Sequence, residues 1–328
     1  LANYREYLWL DHKYGRDEAD YHLSNNTLQY LHREDDFLKN LVRFGYDVRD
    51  DVFYLVSYNK GGAILHMLRH YLGDEAFFQG ITDYLKSNEY GTGEAHQLRL
   101  SFEKISGKDL SWFFNQWYFG NGNPKVEVEK QYDASQKQLT VKIRQTQEEK
   151  LYFQFPLDID IYLSGKATRH TIWVRARGEN IFTFPANKDP ELVNINPDGV
   201  IVMEEEYLKS VKELLYQVQH APELKSRMQA ITSLGENEGK EVLLAALHDP
   251  YFKVRNMALE RLSDFSLNKK ELAQVEKIAT SDPSNIVKSA AIWVLSSSKE
   301  NKRYTALYEK ALTTPSWSVK NAELNAIA

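Results

Sequence analysis

There is no cysteine among the 328 residues, which excludes disulfides, thiol catalysis and cysteine-ligated metals. The compartment stays open, although a cysteine-free chain is compatible with an oxidising location, periplasmic or secreted. No apolar run approaches the roughly 18 residues that would span a bilayer. The opening, LANYREYLWLDHKYG, has neither the basic head nor the small-residue cleavage site of a signal peptide, so any targeting segment is expected upstream of Leu1. Nor does either charge dominate. The 41 basic and 46 acidic residues are interspersed and leave a net charge of −5, which speaks against nucleic acid as a partner. What is present, 42% hydrophobic and 27% charged residues, describes a globular chain long enough for two or three domains.

Three textures follow one another. From Leu1 to about Gly120 apolar residues recur at helical spacing between short breaks. Tyr7, Leu10 and Tyr14 mark one stripe that Gly15 ends; Asn26 precedes a second helical pattern closed by Gly45; Gly61 to Leu72 is amphipathic and stops at Gly73, after which Asp74 caps the next helix. At Asn121 the cluster GNGNP interrupts, and the period becomes two. KVEVEK, QLTVKIRQ, FPLDIDIYLSG, RHTIWVRAR and ENIFTFPA alternate apolar with polar, and about seven short strands between Lys125 and Tyr207 predict a small antiparallel β-sandwich.

After Glu206 the helical period returns as an internal repeat. Four prolines align APELKSRMQAITSL, DPYFKVRNMALERL, DPSNIVKSAAIWVL and TPSWSVKNAELNAI at offsets of 28, 33 and 32 residues. A basic residue stands five positions after each proline (Arg227, Arg255, Lys288, Lys320) and an apolar one twelve after it (Leu234, Leu262, Leu295, Ile327). Ala230, Ala258 and Ala291 stand eight after it, with glutamate in the fourth copy. Each unit reads as a helix pair, so the segment resembles a HEAT-type α-solenoid with the small residue at helix contacts and the basic residue on the exposed face. The predicted domains are therefore 1–120, 121–207 and 208–328.

Several chemistries can be weighed on the stretch VSYNKGGAILHMLRHYLG, Val56 to Gly73. A phosphate loop needs its lysine after the glycines and a Ser or Thr beside it; here Lys60 precedes them and neither follows. His66 and His70 stand four apart on one helix face, a possible pair of metal ligands. Met67 occupies the place where a zincin carries its glutamate, and a partly exposed helix face explains the pair as well. His12, His22, His32 and His96 fall singly in polar surroundings. No G-x-S-x-G elbow occurs. The pairs Asp35/Asp36 and Asp50/Asp51 and the run Glu204 to Glu206 read as solvated charge, and Trp112, Phe113, Phe114 and Trp117 as helical core. Tyr58 precedes a helix that opens at glycine, a place from which a phenol can reach a developing oxyanion or simply pack.

SYNKGGAILHMLRHYLGDEAFFQGITDYL and SGKDLSWFFNQWYFGNGNPKVEVE resemble the later part of the catalytic domain of the M1 zinc aminopeptidases and the β-sandwich that follows it. The resemblance covers about Leu1 to Tyr207 and rests on Tyr58, Lys60, Gly61, Met67 and Leu68, then Trp117, Gly122 and Pro124. It implies a helical remnant of a thermolysin-like catalytic domain ahead of the sandwich and the HEAT-like repeats. It also implies that Tyr58 donates its hydroxyl to the tetrahedral intermediate, with peptides bearing a free N-terminus as substrates. The family's HExxH helix, its GxMEN-type stretch and its NEG-type glutamate do not occur here. The register places Leu1 just past that glutamate, so the chain is expected to be the C-terminal part of a larger enzyme. Its zinc ligands would then lie upstream of Leu1, and the chain alone would hold no zinc and be inactive. The competing reading is a noncatalytic scaffold whose sandwich and solenoid bind a protein partner.

Overall fold

The computed structural model describes residues 1–33, 39–147, 151–311 and 315–327, without the side chains of 49, 310, 311 and 323–327. The pair Asp35/Asp36 therefore lies outside the described residues. The chain divides into two compact units, Leu1–Leu208 and Lys209–Ala328. No described helix is long and apolar enough to cross a membrane.

The first unit opens with helices α1 (Ala2–Tyr14) and α2 (Arg16–Leu31), separated by Gly15 at φ 92°. Only a residue without a Cβ takes that backbone conformation at no steric cost, so the chain breaks and re-forms its helix within one residue. Asn26 lies inside α2 rather than ahead of a second helix, because the acidic first turn at Asp17 and Glu18 starts the helix ten residues earlier. A short 3₁₀ turn (Arg49–Val52) and a π-helical turn (Val56–Lys60) lead into α3 (Gly61–Leu72), α4 (Asp74–Ser87), α5 (Ala95–Ser106) and α6 (Ser111–Trp117). Gly73, at φ 82°, is the cap between α3 and α4, and Asp74 is the first residue of α4, bonded to Arg69.

Apolar and aromatic side chains of these helices meet in one core. Tyr4 and Tyr7 stack at 5.4 Å, with Phe77 edge-on to Tyr4 at 5.8 Å. Phe113, Phe114 and Trp117 are buried, and Trp112 packs against Tyr71 and Trp173. Gly62 lets α1 come close to α3, since a Cβ there would stand 2.3 Å from Asn3 Oδ1.

Seven strands follow: β1 (Lys125–Asp133), β2 (Gln138–Gln145), β3 (Phe155–Leu163), β4 (Lys166–Val174), β5 (Glu179–Pro185), β6 (Leu192–Ile195) and β7 (Glu204–Glu206). They form two sheets, β5-β2-β1-β7 and β4-β3-β6, whose buried residues belong to a single core. Ser164 and Gly165, both at positive φ, make the two-residue turn that sets the β3/β4 register at Leu163 opposite Lys166. All pairings are antiparallel except β1 with β7, where Lys125 to Glu127 run parallel to Glu204 to Glu206. The run of three glutamates is thus an edge strand. Its charge suits an edge, since exposed edge charges discourage pairing with another chain.

The second unit is helical: α7 (Val211–His220), α8 (Leu224–Thr232), α9 (Lys240–Ala246), α10 (Phe252–Leu262), α11 (Lys269–Ser281), α12 (Asn285–Ser296), α13 (Thr305–Ala311) and α14 (Trp317–Ile327). Capping boxes at Ser210 with Glu213 and at Asn268 with Glu271 fix the starts of α7 and α11. Ala230, Ala258 and Ala291 are fully buried, as their spacing predicts. The basic residues depart from expectation. Arg227 and Arg255 are buried, not exposed. Arg227 Nε donates to Asp249 at 2.7 Å, and Arg255 donates through Nε and a terminal nitrogen to both oxygens of Asp282 at 2.8 Å. Each aspartate precedes the proline of the next copy and also accepts an N–H two residues on, from Tyr251 and Ser284 respectively. The arginine of one repeat is therefore fastened to the turn of the next, which explains its burial.

Candidate functional site

Tyr58 sits in the middle of the π-helical turn, where Gly61 N–H reaches back to Val56 O. A π turn inserts one extra residue into a helix and is frequent at functional sites. Here it turns a side chain outward from a segment whose neighbours face in: Tyr58 is 41% exposed, while Val56, Asn59 and Lys60 are buried. The Tyr58 ring leans on Phe53 at 6.1 Å, and its hydroxyl has no hydrogen-bond partner among the described residues.

The flanking residues are tied down. Ser57 Oγ donates to Val52 O at 2.5 Å; Asn59 Nδ2 donates to Asn26 O at 3.0 Å and to Gln29 Oε1 at 3.3 Å; Lys60 Nζ donates to Gly122 O at 2.8 Å. Burial pushes the Lys60 ammonium down to a pKa of about 8. Tyr58 borders a cavity of about 350 Å³, whose other walls include Leu41, Leu65, Tyr84, Leu98 and Tyr118 together with Leu1 to Asn3. That volume suits a side chain or a small ligand.

His66 and His70 part company. His66 is buried, contrary to the exposed-face expectation, and its Nδ1 lies 3.0 Å from Tyr4 Oη. Burial, helped by the nearby charges of Arg16 and Arg69, pushes its pKa down to about 3, so the ring is neutral at physiological pH. Arg69 donates to the Tyr4 oxygen, which leaves the phenol O–H for Nδ1. His70 is exposed and meets Asp158 at 3.1 Å, a hydrogen bond that holds the Asp158 carboxyl below the usual range. The pair therefore does not converge on one point. Among the described residues no group of three or more His, Asp or Glu side chains is placed to hold a metal ion.

A second cavity, of about 320 Å³, lies between His70 and Tyr71 at the end of α3 and Asp158, Trp173 and Asp198 of the sandwich. Its acidic groups are engaged: Asp158 accepts from Thr171, and Asp198 accepts from Arg169. Sequence reasoning missed Lys60 and His66 as buried polar groups. The signal for both was their place in the most apolar helical run of the first unit.

Comparison with known proteins matches two parts of the chain. The Peptidase family M1 domain matches residues 1–117, and HEAT repeats match residues 211–296. The Tricorn protease-interacting factor F2 of Thermoplasma acidophilum is 37% identical over 100 residues, which cover 29% of this chain and 13% of that protein. The leucyl aminopeptidase of Saccharolobus solfataricus is 28% identical over 188 residues, 55% of this chain and 23% of that one. The chain thus spans less than a quarter of the length of these relatives. In fold it is similar to the crystal structure of Legionella pneumophila aminopeptidase A in complex with aspartic acid, with a TM-score of 0.74 and 15% identity over 99% of this chain and 44% of that one. The match to the peptidase family M1 domain thus falls on the helical residues 1–117, the strands follow it, and the match to HEAT repeats falls within the second unit.

Proposed function

We propose that this chain is the C-terminal part of a zinc metallo-aminopeptidase that removes N-terminal amino acids from peptides, with Tyr58 as its oxyanion donor. The division this reading implies is a catalytic-domain part at 1–120, the sandwich at 121–207 and the repeats at 208–328. The observation that carries it is the unengaged Tyr58 hydroxyl at the rim of the cavity, inside the segment that matches the M1 domain.

The described residues do not fit a catalytic zinc, because His66 is spent on Tyr4 and His70 on Asp158. In peptide hydrolysis a water oxygen bonds to the scissile carbonyl carbon, the C–N bond breaks, and the amine leaves with a proton. Negative charge gathers on the carbonyl oxygen on the way. A phenol held beside that oxygen donates a hydrogen bond that strengthens as the charge grows, and the donor keeps its proton throughout.

Two experiments test the reading. In the longer peptidase that contains this segment, Tyr58→Phe should lower kcat by about 10²–10³-fold at unchanged zinc content, the usual loss for one oxyanion donor. Unchanged turnover would remove Tyr58 from the reaction. The 328-residue chain alone is expected to hold no stoichiometric zinc by metal analysis and to release no amino acid from an aminoacyl-anilide. Zinc-dependent release by it would refute the division of labour.

A further inference from the structure

Lys60 has no part in the oxyanion role, yet it is the most deeply buried charged group beside Tyr58. Its side chain is fully buried, and its ammonium stands 5.3 Å from the centre of the Tyr30 ring. Its one hydrogen bond goes to the carbonyl of Gly122, and no carboxylate among the described residues pairs with it. Burying an ammonium without a counter-ion is unfavourable. Simple packing would be better served by an apolar side chain of the same volume, so the donor itself needs an explanation.

That explanation lies in what the bond joins. Gly122 has φ 74°, in the left-handed region, and lies in the connection between α6 and β1. Lys60 closes the π-helical turn. Their bond spans 62 residues of sequence and ties the turn to the entry of the sandwich. Ser57 is fastened to the 3₁₀ turn and Asn59 to α2. Residues 57, 59 and 60 are thus held on three different elements, while the Tyr58 hydroxyl between them makes no hydrogen bond among the described residues. A π turn is a sparsely used backbone conformation that persists where its surroundings over-determine it.

We propose that Lys60 is the positioning residue for Tyr58: its bond to the Gly122 carbonyl fixes the π-helical turn so that the Tyr58 hydroxyl faces the cavity. The catalytic consequence rests on the oxyanion reading above, whereas the positioning itself can be tested without turnover. Site-specific 3-fluorotyrosine at position 58 of the 328-residue chain gives a single ¹⁹F resonance. Lys60→Met should shift or broaden it while the circular dichroism stays that of the folded chain; an unmoved resonance overturns the proposal. Should Lys60→Met fail to fold, Lys60→Leu, which also removes the donor and is apolar, carries the same comparison with the same two outcomes.

In the longer peptidase, Lys60→Met should lower kcat roughly 10-fold to 10²-fold, as expected of a catalytic group displaced by about an ångström. KM and zinc content should hold, and the substitution should cost nothing further in a Tyr58→Phe background. An equal loss in both backgrounds would mark a general structural role and overturn the proposal. A displaced resonance together with full turnover in Tyr58→Phe would support the positioning and refute the oxyanion role, which tells the two failures apart.

Discussion

Lys60 in the first unit and Arg255 in the second are both cations removed from water, and their surroundings differ in kind. Arg255 donates to both oxygens of Asp282 and to the carbonyls of Asp249 and Pro250, so each of its three guanidinium nitrogens has a partner. Lys60 has one carbonyl and the face of an aromatic ring. The difference follows from the chemistry of the two groups: a planar fork suits a carboxylate and a turn together, whereas an ammonium is a point donor whose charge is readily lost on burial. In the repeats the buried cation belongs to a self-consistent ion pair that joins one unit to the next. Beside Tyr58 it is an uncompensated group held for a single bond.

The ion pair should be the harder of the two to break. Arg255→Ala would leave Asp282 buried without its partner and strip two carbonyls of a donor, which costs about 3–5 kcal/mol for a buried pair. Urea unfolding followed by helical circular dichroism should show the transition of Lys209–Ala328 moving to much lower denaturant. Removing both partners in Arg255→Ala/Asp282→Ala should cost less than the sum of the single changes by at least about 1 kcal/mol, since the orphaned carboxylate is gone. Additive losses would show that the pair is not coupled.

Lys60 is distinguished by pH. Its folded pKa is lowered from 10.5 to about 8 by burial. The unfolded chain therefore binds the extra proton between those values, and stability rises with pH across that window. Below about pH 8 the penalty of the buried ammonium is present in full; above about pH 10.5 it is relieved. The difference in unfolding free energy between the wild type and Lys60→Met should accordingly tilt toward the wild type from pH 8 to 10.5, by no more than roughly 3 kcal/mol. A difference that stays level across the window would mean that Lys60 is not desolvated in the folded chain.

The same contrast shows which parts of the molecule can be read from sequence. The change from helix to strand at Asn121 is legible because GNGNP and the period-two runs are local signals, and β1 begins at Lys125. The alanines of the repeats are legible because their spacing after proline is regular. The burial of Arg227 and Arg255 was hidden because their partners lie 22 and 27 residues away, in the turn of the following copy. A trace existed in the aspartate before Pro250 and Pro283, which reads as a turn residue until the arginine is seen beside it.

Tyr58 stands out in the sequence only through family resemblance. Its spacing says nothing of a π turn, which depends on a bond five residues back and on anchors at Asn26, Val52 and Gly122 that no local pattern announces. The burial of His66 is hidden for a related reason. A polar residue in an amphipathic helix is read as facing water unless the buried phenol that satisfies it, here Tyr4, is known.

The smallest expected effect separates a repeat position from its chemistry. Lys288 stands where Arg227 and Arg255 stand in their copies, but the residue before the next proline is Thr314 instead of aspartate. Lys288 is only partly buried, and no carboxylate among the described residues pairs with it. If position in the repeat governed stability, Lys288→Ala would cost as much as Arg255→Ala. If the ion pair governs it, the loss should stay within about 0.5 kcal/mol, the range of ordinary surface changes. Unfolding midpoints of the two variants under one buffer decide between these. A large loss at Lys288 would mean that the basic residue serves the helix contact directly, and the pairing with the following turn would then be incidental to how these repeats hold together.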